Sequence, residues 1–132
     1  MKTVMAQGTF DVLHAGHLHY LRKSADLGDE LVVVVARDSR VDKERLAFEE
    51  EERRELLEAL ETVDRAVLGS EGDIYATVEQ LDPDVITLGY DQEHDEKEVK
   101  ELAEDATGHE VEVVRIGEKK GYSSSDIKRS AR

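Results

Sequence analysis

Two histidines, His14 and His17, stand three residues apart around Ala15 and Gly16 in the stretch Gln7-Gly8-Thr9-Phe10-Asp11-Val12-Leu13-His14-Ala15-Gly16-His17. The apolar run Val4-Met5-Ala6 before them reads as a strand end, and Leu18, Leu21, Ala25 and Leu27 after them recur as one face of a helix. The imidazoles therefore belong at a helix N-terminus, where unpaired backbone N–H groups and the positive end of the helix dipole favour an anion. Two ring N–H donors beside such a terminus suit phosphate, and Gly8 and Gly16 would let the backbone approach a ligand closely. Competing readings are a chance pair of surface histidines or a metal site made by His14, His17 and His19. The absence of cysteine and of a second ligand cluster disfavours zinc. No serine or lysine is paired with an evident base, so direct displacement is simpler than a covalent enzyme intermediate.

Positioning these groups requires a frame, and the hydrophobic pattern supplies one. Strands are predicted over 3–6, 31–36, 63–68, 85–88 and 111–116, and helices over 16–27, 48–61, 74–81 and 96–106, with a short final helix after Ser123. Strict alternation of strand and helix predicts an α/β fold, a doubly wound five-stranded parallel sheet with helices on both faces, Rossmann-like, and the length predicts one domain over 1–132. In such sheets ligands bind beyond the carboxyl ends of the strands where the strand order reverses. The histidine motif, Arg37-Asp38-Ser39-Arg40, Gly89-Tyr90-Asp91-Gln92 and the loop around Lys119 and Lys120 all follow predicted strands.

Charge narrows the partners. Thirty-two acidic residues against 18 basic ones give a net charge of −14, which repels nucleic acid and anionic lipid. No apolar run is long enough to span a membrane and no leader pattern precedes the first strand, so no membrane or nucleic-acid partner and a cytoplasmic location are expected. Such acidity fits either a high-salt cytosol, a halophilic protein, or an ordinary acidic enzyme. Within 115–132 six basic residues outnumber two acidic ones, a local positive region of the kind a polyphosphate needs on an anionic protein. Lys128, Arg129 and Arg132 equally suit a helix C-terminus, whereas Lys119 and Lys120 are placed for phosphate. Lys43 and Arg45 could reach a triphosphate or an acceptor phosphate, or be solvated surface charges.

The string Gly8-Thr9-Phe10-Asp11-x-x-His14-x-Gly16-His17 resembles the HxGH signature of the cytidylyltransferase-like nucleotidyltransferases, and Gly121-Tyr122-Ser123-Ser124-Ser125-Asp126-Ile127 is similar to the second half of that family's other motif. The resemblance implies the doubly wound HUP fold, transfer of a nucleoside monophosphate, and a divalent metal, Mg²⁺ by preference. It assigns His14 and His17 to the α- and β-phosphate oxygens as catalytic residues. Further nucleotide contacts fall on Thr9, Phe10, Ala15 and Gly16, and on Tyr122, Ser123 and Ser124, although Ser123 or Ser124 also reads as a plain helix cap. Asp11 either orients the loop through backbone amides or helps hold the metal through water. Glu118 occupies the place of the second motif's arginine, leaving Lys119, Lys120 or Arg115 as substitutes. His19 reads as structural, and His94 and His109 as surface residues.

Val35-Ala36-Arg37-Asp38-Ser39, Leu68-Gly69-Ser70-Glu71-Gly72-Asp73-Ile74 and Leu88-Gly89-Tyr90-Asp91-Gln92 further resemble the archaeal FAD synthases. That branch implies ATP and FMN as substrates, FAD and pyrophosphate as products, Asp91 at the ribose or base, and a possible homodimer. The alternatives are a glycerol-3-phosphate cytidylyltransferase using CTP, and a nucleotide-binding module without turnover.

Overall fold

The apolar runs become five strands, four helices between them, in a computed structural model that describes residues 1–11, 13–38, 48–70, 74–90, 92 and 94–117. The order is β1 (Thr3–Gly8), α1 (Ala15–Ala25), β2 (Glu30–Val35), α2 (Glu50–Glu58), β3 (Arg65–Leu68), α3 (Ile74–Leu81), β4 (Val85–Gly89), α4 (Glu96–Thr107) and β5 (Glu112–Ile116). The helix expected after Ser123 lies outside the described residues. Every strand pair is parallel and the sheet order is β3-β2-β1-β4-β5, so the winding reverses between β1 and β4. No helix among the described residues is long and apolar enough to cross a membrane.

Alternating side chains of the buried strands divide the core into two layers. Val4, Ala6, Leu31, Val33 and Val35 meet Tyr20 and Leu21 of α1 and Leu57 of α2 on one face. Met5, Val34, Ile86 and Leu88 meet Val78 of α3 and Ala103 of α4 on the other. Helices thus cover both faces, as a parallel sheet requires.

The two edges of the sheet are built differently. At the amino edge an aspartate precedes each of β2, β3 and β4 and accepts a backbone N–H from the neighbouring strand's start. Asp29 takes that of Lys2 at 2.7 Å, Asp64 that of Leu31 at 2.7 Å, and Asp84 that of Thr3 at 2.8 Å. At the carboxyl edge β1 and β4 part. They pair only at Val4 with Val85 and Met5 with Ile86, whereas β1 and β2 pair along all six residues. Beyond Ile86 the phenol of Tyr20 enters the gap, accepting from Gln7 N at 3.2 Å and donating to the Thr87 carbonyl at 2.8 Å. Gln92 closes the next step, its Nε2 donating to the Gln7 carbonyl at 2.8 Å and its Oε1 accepting from Gly89 N at 3.2 Å. Side chains thus satisfy main-chain groups that a continued ladder would have paired.

Two outcomes follow from these contacts. Tyr20→Phe strands the buried Gln7 N–H and Thr87 carbonyl, so a loss of about 1–3 kcal/mol in urea-unfolding free energy is expected. At the amino edge His109 places Nδ1 2.9 Å from the Glu110 carbonyl and Nε2 2.8 Å from Asp82 Oδ1. The Glu110 carbonyl, then the Asp82 carboxylate, raise its pKa above the ordinary 6.5. A folded-state pKa above the unfolded one gives stability that is full below pH 6.5 and disappears as pH rises through the raised value. Urea midpoints of His109→Gln measured at intervals from about pH 6 to pH 8 should fall less with pH than those of the parent protein.

Candidate active site

The turn leaving β1 is shaped by its phenylalanine. Phe10 has φ of +52°, a left-handed conformation costly for a bulky residue, and its ring folds back over Gly8. A Cβ at residue 8 would lie 2.9 Å from that ring, so glycine there leaves room for Phe10. The ring is buried, 5.3 Å from the His17 centroid in an edge-on contact and 6.4 Å from that of Tyr20. Phe10 therefore has its side chain in the core, leaving only its backbone for the nucleotide contact expected of it. Its fold-back carries the chain from the strand to α1.

His14 is the N-cap of α1, with extended backbone, and its Nδ1 accepts from Gly16 N at 3.0 Å. An imidazole that accepts at Nδ1 carries its proton at Nε2 when neutral, which makes Nε2 a donor. Ala15 opens the helix, and His17 in its first turn stacks on His14 with centroids 4.0 Å apart and planes at 28°. Both rings are half-buried. The first turn carries no acidic residue, whereas Arg22 and Lys23 lie in the last, so nothing in that turn opposes an anion at the N-terminus. The terminus lies beyond the carboxyl end of β1, the strand at which the winding reverses. In chemical terms it offers backbone and imidazole donors of the kind an anion can accept from.

Behind the turn is a charge that motif reading missed. Arg53 of α2 is wholly buried; its guanidinium donates to the Thr9 carbonyl at 2.8 Å, to Asp38 Oδ1 at 2.6 Å and to the Phe48 carbonyl at 3.2 Å. One side chain thus ties the loop after β1 to the loop after β2. Asp11 adds a second tie, its Oδ1 accepting from Phe48 N at 3.1 Å. Asp38 and Glu50 hold each other's backbone N–H groups at 2.9 and 3.4 Å, and Arg37 Nε donates to the Gly69 carbonyl at 2.6 Å. On the far side Arg115 of β5 spends its donors on the Gly89 and Gln92 carbonyls at 2.8 and 2.9 Å and on Glu96 at 2.6 Å. Arg115 therefore braces the loop after β4.

The structure brings together Thr9, Phe10, Asp11, His14, Ala15, Gly16 and His17 around one turn. Lys43, Arg45, Asp91, Lys119, Lys120, Tyr122, Ser123 and Ser124 lie outside the described residues. Among the described residues no three His, Cys, Asp or Glu side chains form a metal-binding group, so His14, His17 and His19 do not make a zinc site. A signal for Arg53 was present: with Leu57 and Leu60 it occupies positions i, i+4 and i+7 of an apolar stripe, and an arginine there demands buried partners. Tyr20 and Gln92 carried no such signal.

Comparison with known proteins agrees with this geometry. The cytidylyltransferase-like family profile matches residues 5–130. The FAD synthase of Aciduliprofundum boonei is 52% identical over 129 residues, spanning 96% of this chain and 84% of its own length. That of Haloferax volcanii is 51% identical over 116 residues, spanning 87% and 81%. A crystal structure described as the lipopolysaccharide core biosynthesis protein from Thermoplasma volcanium superposes with a TM-score of 0.84 at 51% identity, covering 90% of this chain and 98% of that one.

Replacing Arg53 with leucine leaves Asp38 and two loop carbonyls without their shared donor. The expected cost is about 3–5 kcal/mol in urea unfolding, the range for breaking a buried ion pair from one side.

Proposed function

Because the chain belongs to the cytidylyltransferase-like family, we infer from its identity to FAD synthases and from its paired imidazoles that it transfers AMP from ATP to FMN, giving FAD and pyrophosphate. The observation that carries the reaction class is the stacked His14–His17 pair on the N-terminus of α1 at the carboxyl edge of the sheet. A terminal phosphate oxygen of FMN attacks the α-phosphorus of ATP. The bond from that phosphorus to the α,β-bridging oxygen breaks in line, and pyrophosphate carries away the electron pair. Negative charge grows on the bridging and non-bridging oxygens, where His14 Nε2, His17 and the first backbone N–H groups of α1 can donate. Donors held by a cap, a stacked ring and a buried arginine need little reorganisation as that charge develops.

Magnesium takes most of its ligands from phosphate oxygens and water, with one or two carboxylates. The donor set fits that pattern: the described residues form no metal cage, and the motif contributes one carboxylate, Asp11, beside the turn. When bound, the ion would neutralise charge on the departing pyrophosphate. Thr9, Ala15 and Gly16 join the backbone contacts to the nucleotide, with Asp91 and the Tyr122-Ser123-Ser124 segment as the remaining proposed contacts. Lys43, Arg45, Lys119 and Lys120 are the proposed cationic contacts.

Incubation with labelled ATP, FMN and Mg²⁺ should yield FAD and pyrophosphate, and chelation should stop turnover until Mg²⁺ is restored. CDP-glycerol formed from CTP and glycerol phosphate, or nucleotide binding without pyrophosphate release, would reject the assignment. His14→Asn keeps an N-cap acceptor but removes the Nε2 donor. Its kcat should fall about 10²-fold or more with the unfolding midpoint little changed, and His17→Ala should lose a similar factor.

A further inference from the structure

At the end of β1 the main chain of Gln7 is fully engaged, N–H to Tyr20 and carbonyl to Gln92, while its side chain is not. The residue is 8% exposed, yet neither Oε1 nor Nε2 has a hydrogen-bond partner among the described residues. An unsatisfied buried amide is destabilising, and native structures keep few of them. The Gln7 amide offers an acceptor and two donors side by side, a set complementary to a heterocycle edge carrying an N–H next to a C=O.

Its face of the sheet identifies which substrate supplies that edge. Strand alternation puts Gln7 on the side of Met5, and its register partner Val34 belongs to the same layer, the one covered by α3 and α4. The histidines lie on the opposite side of β1, on α1, whose Tyr20 and Leu21 pack in the other layer. An in-line displacement puts the attacking and leaving oxygens on opposite sides of the α-phosphorus. With pyrophosphate departing at the histidines, the acceptor approaches across the carboxyl end of β1 from the α3–α4 side, where Gln7 is.

We propose that Gln7 is a specificity residue for the acceptor, its amide pairing with the N3–H and adjacent carbonyl of the flavin's pyrimidine-dione ring. This rests on the FAD synthase reading. Gln7 takes no part in the bond changes; it recognises the ring remote from the reacting phosphate.

Gln7→Leu, similar in size and without the amide, tests it. The KM for FMN should rise about 10-fold or more, the loss expected for leaving a paired heterocycle edge unmatched, with the KM for ATP and the kcat at saturating FMN within about twofold of the parent. The urea midpoint of the ligand-free variant should be equal or higher, since an unpartnered amide has been removed. N3-methyl FMN provides a test that needs no variant: the parent protein should show a raised KM for it relative to FMN, and Gln7→Leu should scarcely distinguish the two. An unmoved FMN dependence, a shift in the KM for ATP instead, or a lower midpoint in the variant would each overturn the role of Gln7. Failure of the parent protein to form FAD at all is a separate result that removes the underlying reaction.

Discussion

Between Gln7 and Thr87 a phenol stands where strand-to-strand hydrogen bonding would otherwise continue. A parallel sheet gains by pairing every main-chain group, so a gap at its centre persists only if something else satisfies those groups. Tyr20 does so from α1 and Gln92 from the loop after β4. The gap coincides with the reversal of winding, and the helix that inserts the phenol is the one whose first turn carries the histidines. Opening of the sheet and placement of the histidines therefore depend on the same helix. The aspartates at the amino edge do the opposite, tying successive strand starts together so that the separation is confined to one end.

The second requirement is that the turn carrying the site stays in place despite an unfavourable conformation at Phe10. Arg53 supplies the restraint. A buried guanidinium is costly unless its donors are used, and here they bind two loop carbonyls and a carboxylate. The same residue joins the loops after β1 and β2, so the geometry of the histidines is coupled to α2 even though α2 contributes no motif residue. Such support behind a turn holds the side chains it carries in a fixed arrangement.

The strong acidity of the chain looks at first opposed to binding a triphosphate. Part of it is structural: Asp29, Asp38, Asp64 and Asp84 hold backbone groups or buried arginine, and Glu96 holds Arg115. These carboxylates are already paired, and the first turn of α1 has none. Local donors at short range then outweigh the overall field, which is screened over about 10 Å at ordinary ionic strength.

Much was legible from the amino acids alone because it is local. Apolar runs and period-3.6 patterns marked all nine described elements to within a few residues, although α2 is shorter than its apolar pattern predicts. The histidine motif announced a strand-to-helix turn with two imidazoles at the helix start because its spacing, glycine and preceding strand are neighbours in sequence. Strand order, the parting of β1 from β4 and the partners of Arg53 were decided only in three dimensions. They depend on pairs 44, 67 and 85 residues apart: Arg53 with Thr9, Tyr20 with Thr87, and Gln92 with Gln7. A tyrosine, a glutamine or an arginine has the same local preferences whether it meets water or a strand end. Only the closing of those long loops, driven by burial of the two apolar layers, gave each its partner.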